Sequence, residues 1–253
     1  MKRRDAFTLT ELLVLVPVIA MLGALLLASL GDAKQTVQAA ACLSNMRQWG
    51  LAMGMYCDDY HDYMPYEGAN TSPIDTGFNL GAWFNILPHY INQTPLKDLY
   101  DSSPPKIPLP GQRSIYVCPS LTAPAATYVG PPSASNPWFG YAMNRLLTGN
   151  AGRPYTRGKA VLPGQVILLS ESENNSYPFT DGYYIGPNAP EQVPPRHSGG
   201  MNFVFVDGHA QWYSLADYGR SQPMTPANAA QFEWAHNPPW KIYWFPCSTC
   251  NKP

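Results

Sequence analysis

Charge is what this 253-residue chain has least of: Asp, Glu, Lys and Arg make up 13% of it, against about 25% in ordinary soluble domains. Its 16 basic and 17 acidic residues leave a net charge of −1, so there is no electrostatic case for nucleic acid as a partner. Catalytic fingerprints are missing as well. The chain has no G-x-S-x-G, no P-loop, no H-E-x-x-H and no Gly-rich dinucleotide loop after a strand, and no enzymatic activity is expected. No internal repeat is visible. The sharpest scarcity is local: from Leu12 to Leu30 there are 19 residues without a charge.

At about 1.5 Å per residue that run matches the roughly 30 Å hydrocarbon core of a bilayer. A secretory signal has a shorter apolar region of about 7 to 15 residues with a small-residue cleavage site after it. Here the small residue, Ala6, comes before the run. The basic tip Lys2-Arg3-Arg4 should hold residues 1–6 in the cytoplasm and send everything after Leu30 outward. Such a chain is expected to cross a membrane once, in contact with its lipid, with the C-terminal part outside the cytoplasm. One acid, Glu11, stands at the threshold of the run, where a carboxylate is costly unless a cation lies beside it.

The stretch Ala6-Phe7-Thr8-Leu9-Thr10-Glu11-Leu12-Leu13 resembles the processing site of type IV prepilins and type II secretion pseudopilins, G-F-T-L-I-E-L-L. The resemblance implies cleavage between Ala6 and Phe7 by a prepilin peptidase, which also methylates the new amine to give N-methylphenylalanine. It implies that Glu11, the fifth mature residue, faces the positive N-terminus of a neighbouring pilin-like subunit during assembly. An α-amine with a pKa near 8 supplies the cation that the electrostatics require. Two positions depart from the family. Ala6 replaces Gly, and Ala28 stands where a helix-bending Pro is common, while Pro17 lies inside the run. A kink or melted turn is expected between Leu13 and Pro17.

Beyond the apolar run, Cys42, Met46, Trp49, Met53, Tyr56 and Tyr60 recur at steps of four and three, placing one apolar stripe on a helix face. Polar Asn45, Arg47, Gln48 and Asp58 fall off it. A helix from Phe7 to about Tyr60 would be roughly 80 Å long. The expected organisation is a leader (1–6), a transmembrane helix (7–30), the extramembrane half of the same helix (31–62) and a β-rich head (63–253). The fold class is α+β: a long N-terminal helix, its first half transmembrane, packed on a loop-rich antiparallel sheet, as in pilins. The head is rich in Pro, Gly, Tyr, Trp and Asn between short strand-like runs, with room for an inserted lobe between Thr71 and Pro137.

In the segment from Met201 to Tyr213, Asp207-Gly208 between two β-prone runs signals a two-residue type I′ hairpin. That register pairs Val206 with His209, Phe203 with Trp212 and Phe205 with Ala210. The span His197 to Gly208 resembles the His, nine residues, Asp-Gly signature of a C-terminal domain that accompanies prepilin-type leaders in a large family of bacterial surface proteins. The likeness extends over Ala41–Gln48 and Phe139–Asn144. His197 and Asp207 flank a strand of roughly 20 Å and should not meet. The turn explains Asp207-Gly208, and Glu171, at the end of the apolar run Val166–Leu169, is the expected structural partner of His197.

No metal is expected. Asp58, Asp59, His61 and Asp62 read as a solvated helix end. Cys247-x-x-Cys250 lacks the second half of a zinc site, and Cys42 and Cys118 are isolated in sequence. Resemblance to type II major pseudopilins, which bind calcium through head loops, would allow Ca²⁺ as the one alternative; Asp181 offers one oxygen of the six or so required, with no others at suitable spacing. The five cysteines face an oxidising space: Cys247 with Cys250 can close a short loop, and Cys42 or Cys57 can tie the helix to Cys118. Two alternatives to a pilin-like subunit carry different consequences. One is a signal-anchored monomer binding a ligand such as a glycan through exposed Trp and Tyr; the other is a secreted hydrolase using His197 or Glu171.

Overall fold

The computed structural model describes residues 9–69, 73–121, 133, 139–147, 155–175, 179–180, 196–218, 229–235, 241–244 and 246. Two compact units are present, residues 1–38 and 39–253. The first is occupied by the start of helix α1 (Leu9–Asp59). Leu13, Val16, Met21 and Leu25 are all exposed there, and the helix is long and apolar enough to cross a membrane. Glu11 lies in the first turn, where a carboxylate faces the positive end of the helix dipole. α1 passes through Pro17 without interruption, so the melted turn expected there does not form. A proline removes one hydrogen bond, and the remaining bonds of the helix on both sides are kept.

In the second unit α1 becomes one-sided. Cys42, Met46, Trp49, Met53, Tyr56 and Cys57 are buried, whereas Tyr60, expected to end the stripe, is 51% exposed. The helix stops at Asp59, and the Tyr60 ring instead stacks on Tyr56 at 4.4 Å. Short helices α2 (Trp83–Ile86) and α3 (Leu96–Asp101) follow. Trp83 and Phe84 of α2, Leu96 of α3 and Leu87 between the two helices enter the same core as α1, so the described part of 71–137 is no separate lobe.

The sheet comprises β1 (Phe139–Asn144), β2 (Ile167–Asn175), β3 (Phe179–Thr180), β4 (Gly200–Phe205) and β5 (Ala210–Ser214), in the order β3-β1-β2-β4-β5. Four strands are antiparallel, and the two-residue edge strand β3 pairs parallel to β1. The architecture is α+β. Alternation along β4 sends Val204 to the core that α1 covers and Met201, Phe203 and Phe205 to a second core with Tyr218, Ile242 and Trp244. Helices α4 (Leu215–Tyr218) and α5 (Ala229–Ala235) lie on this later part of the chain. Burial on both faces explains why β4 ends Phe-Val-Phe rather than alternating with polar residues.

The β4–β5 hairpin corrects the expected register by one residue. Val204 pairs with Ala210, Phe203 with Gln211 and Asn202 with Trp212. Gly208 N–H donates to Phe205 O at 2.9 Å, and Phe205 N–H to His209 O at 2.9 Å, leaving a three-residue loop, 206–208. Positive φ occurs at Gly208 (+90°) and not at Asp207. A type I turn followed by a left-handed Gly spares Asp207 the strained conformation that type I′ would impose. The Asp207 carboxylate also accepts the His209 backbone N–H at 3.1 Å.

Candidate functional site

Four side chains from distant parts of the sequence converge in the core between α1 and the sheet: Cys42, Cys118, Glu171 and His197. Their donor atoms all lie within 4.8 Å of one another. Each is placed by local structure. Cys42 is on the buried stripe of α1, one turn before Met46. Cys118 follows a turn at 114–117, which α1 grips twice: Asn45 donates to Ser114 O at 2.9 Å and Trp49 Nε1 to Ile115 O at 2.9 Å. Glu171 sits on β2 beside Tyr141 of β1. His197 precedes a tight turn in which Ser198 (φ +52°) and Gly199 (φ +77°) both take the left-handed region. The turn is closed by reciprocal bonds between His197 and Gly200 at 2.8 and 3.1 Å. Type I′ geometry thus occurs in this hairpin region, at Ser198-Gly199 rather than at Asp207-Gly208.

Glu171 Oε1 is the hub. It accepts Asn202 Nδ2 at 2.8 Å and the Cys42 thiol at 2.7 Å, and lies 3.0 Å from His197 Nε2. His197 Nε2 also approaches Cys118 Sγ at 3.3 Å, while its Nδ1 is 3.4 Å from Ser120 Oγ. Tyr141 OH lies 3.4 Å from Cys42 Sγ. Arg196 Nη1 sits 3.9 Å from Glu171 Oε2, and its Nη2 donates to Ser172 O at 2.6 Å. Trp212 Nε1 donates to the His197 carbonyl at 2.7 Å, holding the turn against β5.

The electrostatics follow from proximity under burial. The Cys118 thiol falls to about 5, chiefly through its contact with the Cys42 thiol and then through His197, against the opposing effect of burial. His197 rises to about 9: burial works against the charge, and bonds to Cys118 and Glu171 outweigh it. Burial also opposes ionisation of Glu171, yet His197 and Arg196 hold it below the ordinary carboxylate range. Burial pushes the Cys42 thiol well up. A thiolate, an imidazolium and a carboxylate in contact have the composition of a nucleophilic triad. Cys118 and Glu171 are 0% exposed and His197 4%, so no acyl group reaches the sulfur in this arrangement.

The structure brings His197 to Glu171 and keeps it from Asp207, whose carboxylate contacts His209 Nδ1 at 2.6 Å. Cys118 meets Cys42 rather than Cys57; all three carry free thiols. Cys57 lies in an environment shaped by Arg157, Asp62 and Asp58, and burial pushes its thiol up to about 11. Of the expected solvated helix end, Asp58 and Asp62 each bind Arg157 at 2.8 Å. Ala6, Phe7, Asp181, Cys247 and Cys250 lie outside the described residues. Sequence spacing had left Cys42 and Cys118 isolated, and the packing of α1 and the 114–118 segment on the sheet joins them. Tyr141 and Asn202 were not singled out either, because a polar residue inside an apolar strand gives no clue to its partner.

A family model described as a protein of unknown function (DUF1559), SBP_bac_10, matches residues 32–182. The match includes Cys42, Cys118 and Glu171 and stops before His197. No curated protein and no solved structure matches significantly. The chain belongs to the DUF1559 family.

Proposed function

We propose that this DUF1559 protein is a membrane-anchored structural subunit of a type IV pilus-like or type II secretion pseudopilus-like assembly rather than an enzyme. The observation that carries this reading is the prepilin-type stretch Ala6–Leu13, which runs into an exposed apolar helix whose first turn contains Glu11. In this reading prepilin peptidase cuts before Phe7 and methylates its amine. The N-terminus stays on the cytoplasmic side, the head lies in the periplasm or outside the cell, and Glu11 meets the cationic N-terminus of the next subunit. A carboxylate and an ammonium in lipid stabilise each other where either alone would be costly.

The alternative of a glycan-binding monomer asks for exposed aromatic side chains. Among the described residues Trp49, Trp83 and Trp244 are buried, Trp212, 40% exposed, is engaged with His197, and the exposed tyrosines are Tyr60 and Tyr63. The assembly reading is preferred because it also accounts for the Ala6–Leu13 stretch and Glu11. N-terminal sequencing of the protein from cells with and without prepilin peptidase tests it. Expected is N-methyl-Phe7 in the first and an intact Met1 in the second; Met1 in both overturns the reading.

A further inference from the structure

We propose that Cys42, Cys118, Glu171 and His197 form a closed, four-coordinate zinc site that ties α1 to the sheet. The donor set is two sulfurs, one imidazole nitrogen and one carboxylate oxygen, drawn from a helix, a loop, a strand and a turn. Thiolate and imidazole select a borderline-soft ion, and a closed site without solvent is the structural rather than the catalytic form. In a tetrahedral zinc site, ligand atoms about 2.0 to 2.3 Å from the metal stand roughly 3.3 to 3.8 Å apart. The separations of 2.7, 3.0 and 3.3 Å around Glu171 Oε1 and His197 Nε2 need to open only by tenths of an ångström to roughly 1 Å.

The surroundings are those of a supported ligand shell. His197 points Nε2 at the cluster and Nδ1 at the Ser120 hydroxyl, the division of labour that fixes a metal-bound imidazole. Asn202 orients the bound carboxylate and Tyr141 reaches the Cys42 sulfur. The second Glu171 oxygen, buried and without a hydrogen bond, lies toward Arg196. Two thiolates and a carboxylate carry three negative charges, which one Zn²⁺ and one guanidinium balance. The metal replaces protons on the thiols and on His197 Nε2, and those protons leave to solvent; no electron is transferred. Four ionisable groups buried together are otherwise expensive. This inference stands apart from the assembly reading, since neither Phe7 nor Glu11 enters it.

The test uses the full chain purified in detergent without chelator, with metal content and thiol state measured on the same sample. About one zinc per chain is expected, together with two alkylatable thiols at Cys42 and Cys118 after denaturation. Cys42→Ser and His197→Gln should each lose at least tenfold of the bound zinc, while Cys57→Ser retains it. Cobalt added to the metal-stripped wild-type chain should give the intense visible absorption of a tetrahedral thiolate complex, a readout that no variant's folding affects. Recovery of Cys42 and Cys118 as a disulfide without metal overturns the proposal. So does zinc retained in both ligand variants, or a wild-type chain that takes up no cobalt.

Discussion

The two halves of α1 share one backbone and meet opposite surroundings. Residues 12–27 are apolar on every side and exposed around the helix, with Leu13 at 70% and Leu25 at 62%. From Cys42 to Cys57 a single apolar stripe is covered, with Cys42, Met46 and Trp49 0% exposed, and only Leu51 and Met55 among the large apolar residues stand exposed outside it. A helix that is hydrophobic all round needs lipid or other helices for solvent, whereas a striped one needs a single partner surface. In the second half that surface is the sheet with the 114–118 segment. The difference teaches that helix continuity is no guide to function here. The outer half is available for contacts with other molecules, and the inner half is part of the head's own core.

Substitutions can break or sharpen this division. The largest effect is expected from Trp49→Ala, which empties the centre of the core, where Trp49 packs edge-on to Trp83 at 5.0 Å and donates to Ile115 O. A loss of about 3–5 kcal/mol in head stability should appear in denaturant unfolding, with membrane insertion unchanged. Glu171→Gln should cost about 3 kcal/mol or more, because Arg196 and His197 then face a neutral amide in the core. If that variant melts with the wild type, the cluster contributes nothing to the head.

A smaller effect is expected at the contact between α1 and the hairpin tip. A Cβ on Gly50 would meet the Gly208 carbonyl oxygen at 2.2 Å, and both partners there are backbone. Gly50→Ala should lower head stability by about 1–3 kcal/mol through displacement of the tip, less what the helix gains in propensity. Backbone amide exchange at 206–209 would report the displacement. Leu13→Ala in the exposed half should change head stability by less than about 0.5 kcal/mol. A larger change there would erase the division between the halves.

The contrast within α1 was largely legible in the sequence, since uniform and striped hydrophobicity differ in periodicity. Its end was less so. Tyr60 continues the spacing, but His61 and Asp62 take positive φ and turn the chain to Arg157, a partner 95 residues away. The hairpin was visible as a hairpin and missed by one residue, because Asp-Gly serves both two- and three-residue loops and only the φ of Asp207 separates them. Ser198-Gly199 carried a type I′ signal that the stronger Asp-Gly pair overshadowed. The cluster was half legible. An acid at the end of an apolar run and a His in a Gly-rich turn suggest each other, but Cys42 and Cys118 reach them only through the packing of α1 and the 114–118 segment on the sheet. No spacing rule encodes a contact between residues 129 apart in the chain.

The two ends of the His197–Gly208 span now have separate explanations. Asp207-Gly208 is a turn, with Gly208 seated on Gly50. His197 belongs to the buried cluster, and β4 between them fills both cores.

The proposed role of the outer half of α1 is assembly, independent of the head. It is tested most directly by the fraction of Glu11→Ala protein recovered in filaments sheared from cells, relative to wild type at equal membrane levels. The prediction is incorporation reduced at least tenfold; incorporation at the wild-type level would contradict the account.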